Sequence, residues 1–99
     1  MKYVYPAILT PDKEFDDWYS IKFPDLEGCT TETSGGLYWA LFNAAEFLNK
    51  FLTNLEDTGA EIPKPTDIKN IKAEENEIVT LIKANTDAHR LLKAKFETM

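Results

Sequence analysis

One stretch of the sequence decides the fold: Trp18-Tyr19-Ser20-Ile21-Lys22-Phe23-Pro24-Asp25-Leu26-Glu27-Gly28-Cys29. Large apolar side chains alternate with the others up to Phe23, which is the period of a strand with one buried face. The residues that follow are typical of a tight turn, and Gly28 can take the positive φ that such a turn needs. The stretch therefore predicts a strand at residues 17–23, a turn, and a further short strand at residues 29–33.

Another strand is predicted before this stretch. Residues 3–10 are rich in aromatic and β-branched side chains, and Pro6 among them has no N–H to give to a sheet. The strand is therefore expected to lie at an edge of the sheet at Pro6. Three consecutive strands with short links predict an antiparallel meander.

A long amphipathic helix follows the strands. Its apolar residues recur at spacings of three and four, which predicts one stripe facing the sheet and a helix over about residues 36–57. Thr33 or Ser34 is expected to cap its start, and Gly59 is expected to end it. The predicted core stripe consists of Leu37, Leu41, Ala44, Leu48, Phe51, Leu52 and Leu55.

The last part of the chain holds a connection, a strand and a helix. Residues 60–76 are polar and are stiffened by two prolines. Residues 78–82 carry apolar side chains on both faces, which predicts a strand that pairs centrally or is covered by another subunit. After Asn85 or Thr86 as a cap, residues 87–96 are predicted to form a short amphipathic helix.

This order of elements defines the fold class. It predicts an α+β protein, a two-layer β-β-β-α-β-α sandwich in which one long helix packs on an antiparallel meander. The 99 residues, of which 43% are hydrophobic, suffice for one domain with one core. A chain of this size buries a modest share of its surface, so self-association would stabilise it.

Charge and cysteine content narrow the classes of function. The net charge is −6, and residues 1–60 hold ten acidic residues against four lysines. An acidic body repels phosphate backbones and attracts basic proteins, which argues against nucleic-acid binding by this part of the chain. The single cysteine and the lack of an apolar leader or a membrane-length apolar run predict a cytoplasmic protein.

Two motifs resemble the HicB antitoxin family. That family opens with a strand holding Tyr-Pro, here Tyr5-Pro6-Ala7-Ile8-Leu9, followed by a second strand and the turn F-P-D-L-x-G-C, here ending at Cys29. Its long helix ends in an acidic patch before a Pro-x-Pro element, here Leu55-Glu56-Asp57-Thr58-Gly59 and Glu61-Ile62-Pro63-Lys64-Pro65-Thr66. The resemblance covers about residues 3–85. It divides the chain into a HicB-like domain, residues 1–85, and a short C-terminal amphipathic helix, residues 86–99.

The resemblance implies a fold, a partner and an assembly. These are a partial RNase H-like fold, sequestration of a small basic mRNA-cleaving toxin of the HicA type, and a homodimer or homotetramer, with no enzymatic activity and no cofactor. Family members commonly continue into a ribbon-helix-helix or helix-turn-helix DNA-binding module, whereas this chain ends soon after its last strand. Their long helix also opens with more polar, acidic residues than Gly35-Gly36-Leu37-Tyr38-Trp39.

Six carboxylates are candidate site residues. A metal-dependent nuclease would need several carboxylates that converge on two metal ions, and nothing in the spacing places these at neighbouring strand centres. They are instead expected to form a solvated acidic surface that binds a basic partner. The set consists of Asp12, Glu14, Asp16, Asp17, Asp25 and Glu27.

His89 and Cys29 carry no predicted chemistry. A zinc site would need further imidazole or thiolate ligands, and a thiol nucleophile would need a base beside it. His89 is expected on the polar side of the last helix, and Cys29 is expected as a small buried hydrophobe. No metal or cofactor site is predicted.

Aromatic residues at the start of the long helix form a second candidate site. At about 100° per residue, Trp39 and Phe42 point away from the stripe that begins at Leu37, and Tyr38 lies at its flank. Exposed aromatic side chains are enriched in interfaces, so these residues are expected to contact the toxin or a second copy of the chain. The alternative, that the connection of residues 60–76 covers them, stays open.

The last helix carries two further candidate sets. Its apolar residues are expected to dock on the sheet of their own or another subunit: Leu91, Leu92 and Phe96. A single short helix reads a major groove poorly, but its basic residues could contact DNA: Arg90, Lys93 and Lys95. An operator-binding autoregulator and an orphan oligomeric scaffold or sensor are therefore the alternatives to an antitoxin.

Overall fold

The computed structural model describes residues 1–97 of the chain. The last two residues of the predicted C-terminal segment 86–99 lie outside the described residues. The elements, in chain order, are the strands β1 (Lys2–Pro11), β2 (Tyr19–Lys22) and β3 (Thr30–Thr33), helix α1 (Gly36–Thr58), a 3₁₀ helix (Ile68–Asn70), strand β4 (Ile78–Asn85) and helix α2 (Thr86–Glu97).

The four strands form one antiparallel sheet in the order β3-β2-β1-β4, and α1 packs on one of its faces. This architecture confirms the predicted α+β class, the two-layer β-β-β-α-β-α order and the meander of the first three strands. No helix in the described part of the chain is long and apolar enough to cross a membrane.

Pro6 shows how β1 fits the sheet. β1 pairs with β4 over eight positions but with β2 only from Ile8 onwards. The Thr86 N–H donates to the Met1 carbonyl at 3.0 Å, and hydrogen-bonded pairs alternate along an antiparallel ladder. Pro6 therefore lies opposite Leu81 at a position that needs no N–H towards β4. Its other side faces the edge where β2 does not pair, which confirms the predicted edge position.

The core lies between α1 and the sheet. Small side chains in the first half of α1 let the helix approach the strands closely. The predicted stripe is wrong at its start, because Leu37 and Leu41 are 38% and 36% exposed. A helix has about 3.6 residues per turn, so a row of residues spaced four apart winds slowly around the helix axis. The row of α1 that contacts the sheet begins at Ala40 and not at Leu37. The fully buried residues of α1 are Ala40, Ala44, Leu48 and Leu52.

The two caps of α1 differ. Gly59 ends the helix as predicted, in the left-handed conformation and with its N–H bonded to a carbonyl of the last turn. The predicted cap by Thr33 or Ser34 is wrong, because Gly35, with φ of 99°, occupies the cap position and offers no side chain. Thr33 is engaged elsewhere, since its hydroxyl accepts a 2.6 Å hydrogen bond from the Asn43 amide.

Strand β4 lies at an edge of the sheet, so the first predicted alternative, central pairing, is wrong, whereas cover by another subunit stays a prediction. β1 takes the internal place because it is long enough to pair with two neighbours. On β4, Ile82 and Ala84 are buried in the core, whereas Leu81 on the other face is 48% exposed. The Asn85 side chain accepts the N–H of Ala88 at 3.0 Å, which confirms one of the two caps predicted for α2.

The connection of residues 60–76 is fastened at several points. The Tyr5 hydroxyl donates to the Pro63 carbonyl, and Thr66 donates both its N–H and its hydroxyl to the Asp25 carboxylate. The 3₁₀ helix then contacts β4. The polar connection is therefore part of the folded body.

Candidate interaction surface

The loop of residues 12–18 joins β1 to β2 and is held by its own hydrogen bonds. The Asp12 carboxylate accepts the N–H groups of Glu14 and Phe15 at 2.8 and 3.0 Å, and these bonds hold the pKa of Asp12 below its ordinary value. The Asp12 N–H donates to the Trp18 carbonyl at 2.9 Å and closes the loop. The loop thus has a defined shape although every one of its residues is exposed.

Asp17 joins this loop to α1. It has φ of 67°, in the left-handed region that Asp enters more readily than most residues, and its carbonyl accepts the N–H of Gly36 at 3.0 Å. The Phe15 and Trp18 rings are 6.2 Å apart and line a groove with Asp12 and Glu32. Phe15 is 60% exposed, and sequence reasoning missed it. The sequence did indicate it in one way, because Phe15 lies three residues before Trp18 within a run of carboxylates.

Three aromatic side chains project from the start of α1. Tyr38, Trp39 and Phe42 are 76%, 52% and 52% exposed, which confirms that Trp39 and Phe42 point away from the sheet. Trp39 lies edge-on to both neighbours, with ring centroids 5.5 Å from Tyr38 and 5.8 Å from Phe42. Gly35 leaves room for this ring, because a Cβ there would come within 3.2 Å of it. The rings are therefore ordered by one another without being buried.

The loop and the start of α1 are joined by the hydrogen bond between Gly36 and Asp17, and together they are here called the acidic-aromatic end. Exposed rings surrounded by carboxylates suit a partner that has an apolar centre and a basic rim. The hydrogen bond between Gly36 and Asp17 joins the loop that holds four of the six predicted carboxylates to the helix start that holds the predicted aromatic set. The acidic-aromatic end consists of Asp12, Glu14, Phe15, Asp16, Asp17, Trp18, Tyr38, Trp39 and Phe42.

The other two predicted carboxylates lie elsewhere. Asp25 and Glu27 belong to the turn between β2 and β3, at the opposite end of β2 from the loop of residues 12–18. Asp25 is half-buried and holds Thr66, so it serves the protein's own fold. Glu27 is exposed. The acidic surface predicted from six residues is therefore divided between two places.

The connection of residues 60–76 does not cover the aromatic rings. It is anchored at Pro63 and Thr66, on Tyr5 and Asp25. The rings of the acidic-aromatic end stay at least 40% exposed. The covering segment considered as an alternative is thus not seen, and the rings are available to a partner.

Helix α2 is attached through its polar side. Arg90 pairs with Glu56 at 3.0 Å and with Asp57 at 2.8 Å at the end of α1. These ion pairs turn the opposite side of α2 towards solvent, so the first predicted alternative, docking on its own sheet, is wrong, and docking on another subunit stays a prediction. The apolar residues on that side, 70%, 57% and 72% exposed, are Leu91, Leu92 and Phe96.

Glu56 is the centre of a polar cluster that sequence reasoning missed. Its carboxylate accepts the Tyr3 hydroxyl at 2.6 Å, the Thr86 hydroxyl at 3.0 Å and the Arg90 guanidinium at 3.0 Å. The hydrogen bond from Tyr3, with those from Arg90 and Thr86, holds the pKa of Glu56 below its ordinary value. The same bond raises the pKa of Tyr3 to about 12. In the sequence, only the adjacent acidic residues Glu56 and Asp57 at the end of α1 indicated such a cluster.

The basic residues predicted to contact DNA have different surroundings. Arg90 is engaged by Glu56 and Asp57, and its guanidinium is only partly exposed. Lys93 and Lys95 are exposed on α2. Contact with DNA by Arg90 would therefore require the ion pairs that hold α2 to break.

Cys29 and His89 occupy the environments expected of them. Cys29 is buried, and this burial raises the pKa of its thiol to about 12, so it packs as a small core side chain. His89 is half-exposed in a polar groove between the helices, beside Lys50, Asn54 and Lys93. Within residues 1–97, no group of three His, Cys, Asp or Glu side chains is placed to hold a metal ion.

Comparison with known proteins agrees with this architecture. A family model described as HicB_like antitoxin of bacterial toxin-antitoxin system matches residues 5–96. A chain in a solved toxin-antitoxin complex from Streptococcus pneumoniae is 21% identical with a TM-score of 0.79, over 90% of this chain and 73% of that chain. A chain in a solved HicA3 and HicB3 toxin-antitoxin complex is 21% identical with a TM-score of 0.63, over 84% and 99%. Among curated proteins none matches significantly.

Proposed function

We infer the function from one premise: this chain belongs to the HicB-like antitoxin family of bacterial toxin-antitoxin systems, and it is an antitoxin. We propose that it belongs to a type II system, in which the antitoxin neutralises the toxin by binding it as a protein. The partner we propose is a small basic mRNA-cleaving toxin of the HicA type. One solved complex with a similar chain holds HicA3 and HicB3, which supports this choice.

The acidic-aromatic end is the observation that carries the proposal. Four exposed carboxylates and five exposed aromatic rings lie in the loop and in the first turns of α1, and the hydrogen bond between Gly36 and Asp17 joins these two segments. A toxin that binds RNA must present a positively charged face. The net charge of −6 and the local carboxylates attract that face, and the rings supply apolar contacts once it is reached.

Neutralisation then requires no catalysis by this chain. The carboxylates speed the encounter, and the aromatic side chains bury themselves against the toxin and slow its release. The toxin can then bind no RNA, because the antitoxin covers the RNA-binding face of the toxin. We therefore infer an antitoxin that acts by occlusion in the cytoplasm, where the two proteins and their mRNA targets meet.

Copurification tests this function. The small basic protein encoded beside this one carries the only tag, and both are expressed together. The expected result is a stoichiometric complex, and coexpression restores growth that the partner alone abolishes. Absence of a complex at micromolar concentrations, with both proteins folded, would overturn neutralisation and favour an orphan scaffold.

Operator binding is a weaker candidate. Of the basic residues on α2, Arg90 is engaged by Glu56 and Asp57. A single helix that is fixed to the body by this residue offers a small reading surface for a major groove. The acidic body next to it also repels the phosphate backbone.

A further inference from the structure

A groove between the loop of residues 12–18 and strand β3 combines aromatic walls with carboxylates. It is lined by Asp12, Phe15, Trp18 and Glu32 and has a volume of about 310 Å³. This volume lies at the lower end of the range for ligand pockets, so the groove has room for one side chain of a partner. It is here called the Phe15–Trp18 groove. Glu32 belongs to β3, and sequence reasoning missed it.

The two rings of the groove are placed to contact a cation. Their centroids are 6.2 Å apart, and their planes are inclined at 50° to each other. Phe15 is 60% exposed and Trp18 is 40% exposed, so part of each side chain is open to solvent. An aromatic ring attracts a cation that lies over its face within about 6 Å of the centroid. A point midway between these two rings is within that distance of both centroids.

The two carboxylates of the groove keep oxygen atoms for a ligand. Asp12 uses Oδ1 to accept the N–H groups of Glu14 and Phe15. Its Oδ2 accepts no hydrogen bond within residues 1–97. Glu32 is exposed and forms no ion pair in the same part of the chain. Both side chains can therefore accept hydrogen bonds from a partner.

The surroundings of the groove also favour a cation. An adjoining groove of about 380 Å³ shares Asp12, Phe15 and Glu32 with it and adds two charged residues, Lys13 and Glu14. Three carboxylates therefore stand against one lysine, a local net charge of −2. A concave surface of one sign concentrates ions of the opposite sign.

The walls of the groove are ordered by backbone hydrogen bonds. The Trp18 N–H donates to the Phe15 carbonyl at 3.3 Å, and the Asp12 N–H donates to the Trp18 carbonyl at 2.9 Å. Glu32 extends from β3, where it lies opposite Ser20 of β2. Groups that are already in place lose less conformational entropy when they bind a ligand.

We propose that the Phe15–Trp18 groove binds the guanidinium group of an arginine side chain of the partner protein. The inference rests on the proposed function, because the partner is the basic toxin. A guanidinium group is planar, so it can stack on a ring while its N–H groups donate to a carboxylate beside that ring. Glu32 accepts a pair of these N–H groups, and Asp12 accepts a further one through Oδ2.

Other occupants fit this groove less well. An apolar side chain would bury the Asp12 and Glu32 carboxylates without partners, which is costly. An acidic side chain or a phosphate would be repelled by them. A lysine ammonium is compact and strongly hydrated, and it cannot stack. Among residues 1–97, no three metal-binding side chains are placed to hold a metal ion.

Magnetic resonance of the full chain without toxin tests the site. The probe is N-acetyl-arginine methylamide, and the same molecule built on citrulline is its neutral control. The chain has two tryptophans, so the indole N–H signal of Trp39 is an internal control for that of Trp18. The arginine derivative is expected to shift the Trp18 signal with a dissociation constant of about 1–10 mM. The Trp39 signal and the citrulline titration should show no saturable shift.

Two variants test the charge and the ring separately. Glu32→Gln removes the charge at constant size, and Phe15→Leu keeps an apolar side chain without an aromatic face. Each is expected to raise the dissociation constant of the arginine derivative at least about threefold. Glu27→Gln is the matched control, because Glu27 is exposed outside the groove. It is expected to change the dissociation constant less than about 1.5-fold.

Toxin kinetics connect the groove to the complex. A paired charge that is covered by the partner acts mainly on dissociation, whereas a charge at the rim acts mainly on association. Glu32→Gln is therefore expected to speed dissociation of the toxin at least about fivefold, with association changed less than about twofold. Glu27→Gln should leave both rates as in wild type.

The inference is overturned by any of three results from the chain without toxin. They are equal affinity for the arginine and citrulline derivatives, a saturable shift of Trp39 without one of Trp18, or an affinity that Glu32→Gln and Phe15→Leu leave unchanged. If the arginine derivative binds as expected and no toxin binds, the proposed function fails while this site stands. If the toxin binds and its dissociation is insensitive to Glu32→Gln, the function stands and this inference fails.

Discussion

The two ends of helix α1 differ in where their side chains are engaged. At the C-terminal end, Glu56 accepts hydrogen bonds from three side chains of two other elements, β1 and α2, and Gly59 completes the cap. At the N-terminal end, Gly35 offers no cap side chain, and Trp39 is 52% exposed. The C-terminal end is committed to the protein's own fold. The N-terminal end has ordered apolar side chains that no part of the described chain covers, and this difference separates stability from binding.

Removal of a central ring should produce the largest change in toxin binding. Trp39→Ala is expected to weaken the complex roughly 30-fold or more, because a central aromatic anchor contributes about 2 kcal/mol or more to an interface. The free energy of unfolding should change by less than about 0.5 kcal/mol, since the ring is half exposed. Isothermal calorimetry and urea unfolding measure the two quantities.

Leu92→Ala is the control for this comparison. Leu92 is 57% exposed and also belongs to a helix, but it lies on α2. Its removal should leave toxin affinity unchanged. Equal losses of affinity for the two variants would show that the acidic-aromatic end has no special role.

Removal of the charge at the other end of α1 should do the reverse. Glu56→Gln is expected to lower the free energy of unfolding by about 1–2 kcal/mol, because its hydrogen bonds to charged and half-buried partners weaken. Toxin affinity should stay within about twofold of wild type. The control is Glu46→Gln on the exposed surface of the same helix, for which little change in stability is expected. A large loss of toxin binding with Glu56→Gln would remove the distinction between the two ends.

Acid should remove the contribution of Glu56. Its pKa is lowered in the folded state, so its carboxylate stabilises the fold above its unfolded pKa, and this stabilisation is lost as pH falls through the folded pKa. The difference in unfolding free energy between wild type and Glu56→Gln should thus have its full value at pH 7 and become smaller below about pH 4. Urea titrations at several pH values measure it. A difference that is constant from pH 7 to pH 3 would contradict this role.

Charge reversal in the loop should produce the smallest change. Glu14→Lys with Asp16→Lys is expected to slow toxin association several-fold and to flatten its salt dependence, with little change in dissociation. These two positions are preferred to Asp17, whose positive φ and bond to Gly36 serve the loop structure. Stopped-flow mixing at several salt concentrations measures the rates.

A second double variant separates local from overall charge. Glu27→Lys with Glu61→Lys makes the same change in net charge at exposed positions outside the acidic-aromatic end. It should slow association less than the loop variant does. Equal effects would mean that net charge alone attracts the toxin.

The fold was predictable because it depends on local patterns. Alternation before Phe23, the turn that contains Gly28 and the spacing of apolar residues in α1 each specify an element from its own residues. The same patterns placed Trp39 and Phe42 away from the sheet, and the structure confirms this placement. Elements whose neighbours are near in sequence could therefore be assigned correctly.

The failures arise where residues distant in sequence decide the outcome. Asp25 was assigned to an acidic surface, but Thr66 engages it. Apolar residues on both faces of β4 suggested a central strand, but the sheet order depends on how β1 divides its pairing between β2 and β4. The position of α2 depends on Arg90 and Glu56, which meet only in the folded chain. No periodicity in the sequence carries this information.

The pairing of β1 with β4 also has a consequence for the order of folding. The Met1 carbonyl and the Thr86 N–H, which lie at nearly opposite ends of the chain, form one hydrogen bond, and the ladder between them continues through Leu9 and Ile78. Such distant contacts close a long loop and slow folding. A newly synthesised chain must therefore extend through β4 before its core can close. Until β4 has been synthesised, the first strand lacks its longest partner, and the sheet against which α1 packs is incomplete.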